Sequence, residues 1–300
     1  MTTNIIQPLC KILPLLLGMT FIGVFTGLYA HADEKESTSF YLVGLGPGDP
    51  DLMTLRAVNV IEKADVIFCS EGWEGKLAEY LEGKEVHNGC WRLFPYYGHD
   101  PSEFEGDERR ECEEYVRKRG EFITLVRAAI AEGKTVAMLD GGDPLVYGPS
   151  AWALEEFEDL DPVVVPGVSC FNAGNAALRR CVTTSDSTKS VILTAADWIG
   201  GEDTIEKLSA HQTTMVLFTM RTEFREFVEK LSINYPPETP IALVKNAGYA
   251  ESEEVIESTL GTVLDQVGEK GPGSAYLIYV GDFLNHRYKA ENVEEVNGSN

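Results

Sequence analysis

Residues 40–64 read FYLVGLGPGDPDLMTLRAVNVIEKA, and their order of apolar run, glycine-rich turn and periodic segment decides the fold class. Residues 40–45 are short, apolar and β-prone, which predicts a buried strand. Gly44, Gly46 and Gly48 allow a tight turn and close approach of the backbone to a ligand. Asp49 followed by Pro50 predicts a helix N-cap with proline at the first helical position. Leu52, Leu55, Val58 and Ile61 then recur at helical spacing and predict one apolar face, with Glu62 beside it. A dinucleotide fingerprint fails here. Asp49 stands where GxGxxG needs its third glycine, Pro47 lacks the N–H that a pyrophosphate would use, and an acidic helix start repels phosphate. The turn suits a ligand without phosphates, including a cationic one.

Outward from this stretch, the chain keeps alternating. Strands are expected at 65–69, 135–139, 163–165, 191–195, 214–218, 241–245 and 276–280, with helices near 76–81, 107–131 and 169–178. Alternation of this kind implies layered α/β architecture. The run from 135 to 139 feeds a second glycine turn, DGGDPLVYG at 140–148, in which Asp143 and Pro144 are expected to open another helix. Ala173, Gly174, Ala176 and Ala177 make the helix at 169–178 thin enough for close packing. The acidic stretch 155–161 lacks an apolar pattern and is placed as the boundary between an N-terminal domain, 38–158, and a C-terminal domain, 160–288, which the strand at 163–165 opens; 289–300 is a polar, flexible tail.

The 300 residues suffice for two ordinary cores, and 44% hydrophobic with 24% charged residues is globular composition. The net charge of −23 argues against nucleic acid or an anionic membrane surface as partner. Residues 1–32 carry Lys11, an apolar run and Ala30-His31-Ala32 before acidic residues. That is the pattern of a secretory signal peptide, or, uncleaved, of a membrane anchor with the domain outside; an exported (periplasmic) or anchored protein is expected. Beyond Cys10, five cysteines remain: Cys69, Cys90, Cys112, Cys170 and Cys181. None forms a CxxC pair, so metal motifs have no support. Cys90 and Cys112 flank an unusual insertion and either pair in an oxidising compartment or stay free.

The two turns, Gly-x-Gly-Pro-Gly-Asp-Pro at 44–50 and Gly-Gly-Asp-Pro-x-x-Tyr-Gly at 141–148, resemble the tetrapyrrole (corrin/porphyrin) methylase family. Pro166-Gly167-Val168-Ser169, the run VLFTM at 216–220 and Ser258-Thr259-Leu260-Gly261 extend the resemblance over 40–284. It implies two α/β domains, each with a mixed sheet flanked by helices, and a ligand cleft between them. It also implies an S-adenosylmethionine (SAM) dependent methyltransferase, with S-adenosylhomocysteine as product, a tetrapyrrole acceptor as small-molecule partner, and a homodimer. Carried over residue by residue, it implies cofactor contacts at Pro47, Gly141, Gly142, Asp143, Val146, Ser169, Cys170, Met220 and Ala247.

One departure matters. In the sirohaem-type members an aspartate follows the second strand; Ser70 stands there, with Glu71 next to it. Glu71 is therefore a candidate catalytic residue. Tyr97 and Arg109, with Tyr96, His99 and Arg110, are further candidates for a substrate pocket. That Tyr/Arg-rich insertion is similar to the peptide-methylating branch of the family, so a peptide or other small-molecule acceptor is an alternative. So is an exported relative that binds ligand without catalysis. N-terminal sequencing of the mature protein tests the leader: cleavage leaves a chain beginning near Asp33, and an anchor retains residues 1–32.

Overall fold

The structure, a computed structural model, describes residues 40–89, 92–198, 200–219, 224–273 and 275–288. The leader, the tail at 289–300, Cys90 and Met220 lie outside the described residues. Two five-stranded sheets organise the chain.

The first sheet has the order β3-β2-β4-β1-β5, built from Phe40–Gly44 (β1), Val66–Phe68 (β2), Glu85–His87 (β3), Val136–Asp140 (β4) and Val163–Val165 (β5). Every pairing in it is parallel, so only the second sheet is mixed. The near-continuous apolar strands follow from burial on both faces. On one face Phe40, Leu42, Phe68 and Met138 pack on Phe122 and Val126 of the long helix Gly106–Ala131. On the other, Val43, Ile67 and Leu139 pack on Ala57 and Ile61 of the helix Leu55–Lys63. These helices are α4 and α1. Between them come Glu71–Lys76 (α2) and Ala78–Leu81 (α3), and after β4 comes Trp152–Glu156 (α5).

The strand at Val163–Val165 was expected to open the second domain. It pairs with β1 instead, Tyr41 opposite Val163, so the chain leaves the first sheet only after Val165. The first helix also starts later than expected. Pro50–Leu52 forms a single 3-10 turn, Met53 is extended, and Thr54 caps α1 by accepting the Ala57 N–H at 3.1 Å. That break shifts the helical phase, and Leu55 ends 84% exposed rather than on the apolar face.

The second sheet has the order β6-β7-β10-β8-β9, from Val191–Ala195 (β6), Thr214–Phe218 (β7), Pro240–Lys245 (β8), Glu254–Thr259 (β9) and Tyr276–Val280 (β10). One face is covered by Ile205–Ser209 (α7), Phe224–Leu231 (α8) and Val263–Val267 (α9). The other receives Cys170–Leu178 (α6). The small residues of α6 act as expected: a Cβ at Gly174 would overlap the Tyr279 hydroxyl, which donates to Phe171 O at 2.9 Å. Cys112 is a fully buried free thiol, and Cys90, its partner in the alternative of a pair, lies outside the described residues.

The turn after β1 joins the two sheets. Asp49 N–H donates to Gly248 O at 2.9 Å, and the Asp49 carboxylate accepts the Ala250 N–H at 2.8 Å. Asp49 therefore grips the turn after β8, and its side chain does not cap a helix. A Cβ at Gly48 would overlap the backbone of Gly248. Gly48→Val is expected to cost about 1–3 kcal/mol by overpacking this seam, read as a lower midpoint in denaturant unfolding; an unchanged midpoint would contradict the contact.

Candidate active site

In the first sheet β1 and β4 are neighbours, but their connections run opposite ways. β1 leads to β2 on one side, whereas β4 leads to β5 on the other. Open α/β sheets bind ligands beyond the carboxyl ends of strands at such a switch point. The two glycine turns stand there. Gly46 N–H donates to Gly142 O at 3.2 Å, Gly142 N–H to Gly46 O at 2.7 Å, and Leu45 N–H to Asp140 O at 2.9 Å. A Cβ on Gly44 would overlap the backbones of Gly167 and Gly142, and one on Gly167 would overlap Gly142 O. Gly142 itself has φ +75° with open space on its Cβ side, a bare backbone surface that a ligand can approach.

Asp143 does not open a helix. Its two carboxylate oxygens accept the N–H groups of Leu145 at 2.9 Å and Gly167 at 3.2 Å, which ties the turn after β4 to the turn after β5. Asp-Pro serves as a turn here, and the next helix waits until Trp152.

The carried-over cofactor positions gather around these turns. Pro47 faces Gly248, which adjoins Ala247. Val146, Cys170 and Ala247 belong to one apolar cluster against the second sheet, although Val146 starts from the first. Ser169 is buried and forms a capping box with Asn172 at the start of α6. Burial pushes the Cys170 thiol up from its ordinary range, as suits a small apolar wall. The cradle is made of backbone, small side chains and one carboxylate, with no lysine or arginine among these positions. A ligand bearing a positive sulfonium fits such a donor set better than a phosphate does.

Beside the turn after β4 opens a cavity of about 490 Å³. Its walls are aromatic: Trp73, Phe94, Tyr147, Trp152 and Trp198. Tyr147 has φ +58° and sets its ring 4.6 Å from that of Phe218; burial raises the pKa of its phenol. Arg92 and Asp140 are the charged side chains lining the cavity among the described residues. Asp140 ends β4, is 1% exposed, and accepts the Ser150 N–H at 3.2 Å. β2 pairs with β4 at an offset of seventy residues, Phe68 opposite Met138.

The catalytic candidates lie elsewhere. Glu71 is exposed in the first turn of α2. Arg109 pairs with Glu113 on the exposed face of α4 at 3.2 Å. Tyr97 packs its ring against Trp152 and beneath the guanidinium of Arg119, with its hydroxyl 3.5 Å from Glu156. Arg119, unsuspected from sequence, is buried and donates to the carbonyls of Leu93, Pro95 and Tyr96. It fixes the loop as a structural pin. None of Glu71, Tyr97 and Arg109 lines the large cavity. Asp140 and the tryptophans do, and one signal for them was available: a carboxylate opening the turn DGGDPLVYG.

Fold and cradle thus define an α/β protein with bare glycine backbone at the switch point of a parallel sheet. Comparison with known proteins sharpens this. The Tetrapyrrole (Corrin/Porphyrin) Methylases family matches residues 39–264, and the chain belongs to that family; it is a SAM-dependent methyltransferase. A cobalt-precorrin-4 C(11)-methyltransferase of Methanocaldococcus jannaschii is 29% identical over 257 residues, 83% of this chain and 89% of the relative. The X-ray structure of a cobalt precorrin-4 methyltransferase aligns with a TM-score of 0.65 at 23% identity, over 84% of this chain and 98% of that one. A uroporphyrin-III C-methyltransferase from Thermus thermophilus, complexed with S-adenosylhomocysteine, aligns with a TM-score of 0.58 at 22% identity, over 82% and 98%. Asp143→Ala would strand two backbone N–H groups and is expected to cost about 1–3 kcal/mol, with Asp143→Asn in between, read by denaturant unfolding.

Proposed function

We propose that this methyltransferase acts on a carbon of a tetrapyrrole held in the cleft between the two sheets. The observation that carries the reading is the meeting of the two glycine turns at the switch point, with an aromatic cavity alongside. SAM supplies a methyl group on a positively charged sulfur. Pro47, Gly141, Gly142, Asp143, Val146, Ser169, Cys170 and Ala247 would hold it, with Met220 completing the set. These residues contribute alignment of donor and acceptor, an effect that reaches ~7–11 kcal/mol in favourable cases, and a lining without cationic side chains. Trp73, Phe94, Trp152 and Trp198 offer flat apolar faces to a conjugated ring. Arg92 offers a charged donor for the carboxylate substituents that biosynthetic tetrapyrroles carry.

A homodimer is proposed on the family resemblance. Export or anchoring is proposed on residues 1–32, where the charge asymmetry about the apolar run supports it. A relative that binds ligand without turning it over is the second reading, favoured by Ser70 in place of an acid.

Titration calorimetry with S-adenosylhomocysteine and turnover of methyl-labelled SAM with uroporphyrinogen III or cobalt-precorrin-4 test the proposal. The expected result is binding by the wild type, its loss in Gly142→Trp, and label in one of the two acceptors. Binding without label in either favours the second reading, and no binding by the wild type contradicts both.

A further inference from the structure

Methyl transfer asks for a donor and an acceptor atom about 3–3.5 Å apart and in line. A side chain at the boundary between the two sites therefore governs the rate of the chemical step. Gly141 marks that boundary, since it belongs to the carried-over cofactor positions and also lines the aromatic cavity. The side chain packed on it is Trp73. A Cβ at Gly141 would stand 3.2 Å from Trp73 Nε1 and 3.4 Å from Trp73 Cζ2, so glycine there leaves the room that the edge of the indole fills. The same indole lines the cavity.

We infer, on the tetrapyrrole methyltransferase reading, that Trp73 is a positioning residue that sets the acceptor against the methyl donor, and that Lys76 and Tyr249 hold it there from the second sheet.

The core of the first sheet holds Trp73 only in part. Its helix, α2, is six residues long and none of them is buried. Two polar ties steady that helix. The side-chain amide of Asn88 donates to the Glu74 carboxylate, which fastens α2 to the segment after β3. The other tie crosses to the second sheet. Lys76 follows Trp73 by one helical turn and so lies on the same side of α2. Its ammonium stands 5.0 Å from the centroid of the Trp73 ring and 4.1 Å from that of Tyr249, and it donates to the Tyr249 hydroxyl at 2.7 Å. A cation over two aromatic rings attracts both.

Tyr249 is itself fixed. It sits in the turn after β8 between Gly248 and Ala250, whose backbones bond to Asp49 at 2.9 and 2.8 Å. The contacts from Asp49 through Tyr249, Lys76 and Trp73 to Gly141 form a closed circuit, because the turns that carry Asp49 and Gly141 are bonded directly through Gly46 and Gly142. Ala247, a carried-over cofactor position, lies in the same turn as Tyr249. A cofactor seated against that turn and an acceptor seated against Trp73 thus bear on one frame, which is how their separation is set.

The test compares wild type, Trp73→Ala, Trp73→Phe, Lys76→Met and Lys76→Arg in the full chain. Turnover is measured with methyl-labelled SAM and whichever of uroporphyrinogen III and cobalt-precorrin-4 the wild type methylates. Calorimetry gives the S-adenosylhomocysteine affinity, and thermal unfolding checks the fold. Trp73→Ala is expected to lower kcat about 10²-fold with S-adenosylhomocysteine affinity unchanged, and Trp73→Phe to recover part of the rate. Lys76 is exposed, so Lys76→Met keeps the fold; it is expected to lower kcat about tenfold, and Lys76→Arg, which keeps a cation over the rings, to restore it. Wild-type kcat in either Trp73→Ala or Lys76→Met overturns the inference while leaving the function intact. So does a loss seen only as weaker S-adenosylhomocysteine binding, a raised acceptor KM or a lower unfolding temperature, since Trp73 would then be wall or scaffold. Failure of the wild type to methylate either acceptor removes the functional reading and this inference with it.

Discussion

Three glycine backbones, at Gly44, Gly142 and Gly167, crowd together where β1, β4 and β5 end, close enough that a single Cβ at Gly44 or Gly167 would overlap its neighbours. The rest of the architecture depends on this contact. It lets the turn after β1 bond to the turn after β4 through Gly46 and Gly142, and it lets Asp143 reach the Gly167 N–H. Three strand ends thereby become one rigid rim. The parallel sheet supplies the positions, because only parallel strands with opposed crossovers leave a crevice at their carboxyl ends.

The rim is coupled to the second sheet by side chains that originate in the first. Val146 and Tyr147 leave the turn after β4 and pack against the β7 and β10 face. Asp49 reaches to the turn after β8. Lys76 of α2 donates to the Tyr249 hydroxyl at 2.7 Å and lies over both the Tyr249 and Trp73 rings. The cradle is therefore framed from both sides by short polar ties and small residues, which is what alignment chemistry asks of a protein. The chain's net charge of −23 is compatible with a cationic methyl donor.

Much of this was legible in the chain. Apolar runs of strand length bounded by Gly, Pro and Asp placed eight of the ten described strands, and the 3.6-residue pattern of Phe122 and Val126 placed α4. The missed strands, β3 and β9, are edge strands with charged, partly exposed residues, so alternation was masked by polarity. β5 was placed as a strand and assigned to the wrong sheet, because nothing local says which sheet a strand joins. Leu55 and Asp49 misled for a related reason. Proline signalled a helix start correctly in kind, but the turn it began lasts only three residues. In the site, glycine spacing exposed the cradle because close backbone approach leaves a sequence trace. The cavity wall left none, since Trp73, Trp152 and Trp198 meet only through tertiary structure.

The position of the bound cofactor tests the rim most directly. A crystal structure of the protein grown with S-adenosylhomocysteine measures it. Density for the ligand against Gly141–Gly142, with the adenine near Ala247, agrees with the rim as the methyl-donor site. Density on another face, or ligand bound with the turns after β1 and β4 parted, would contradict it.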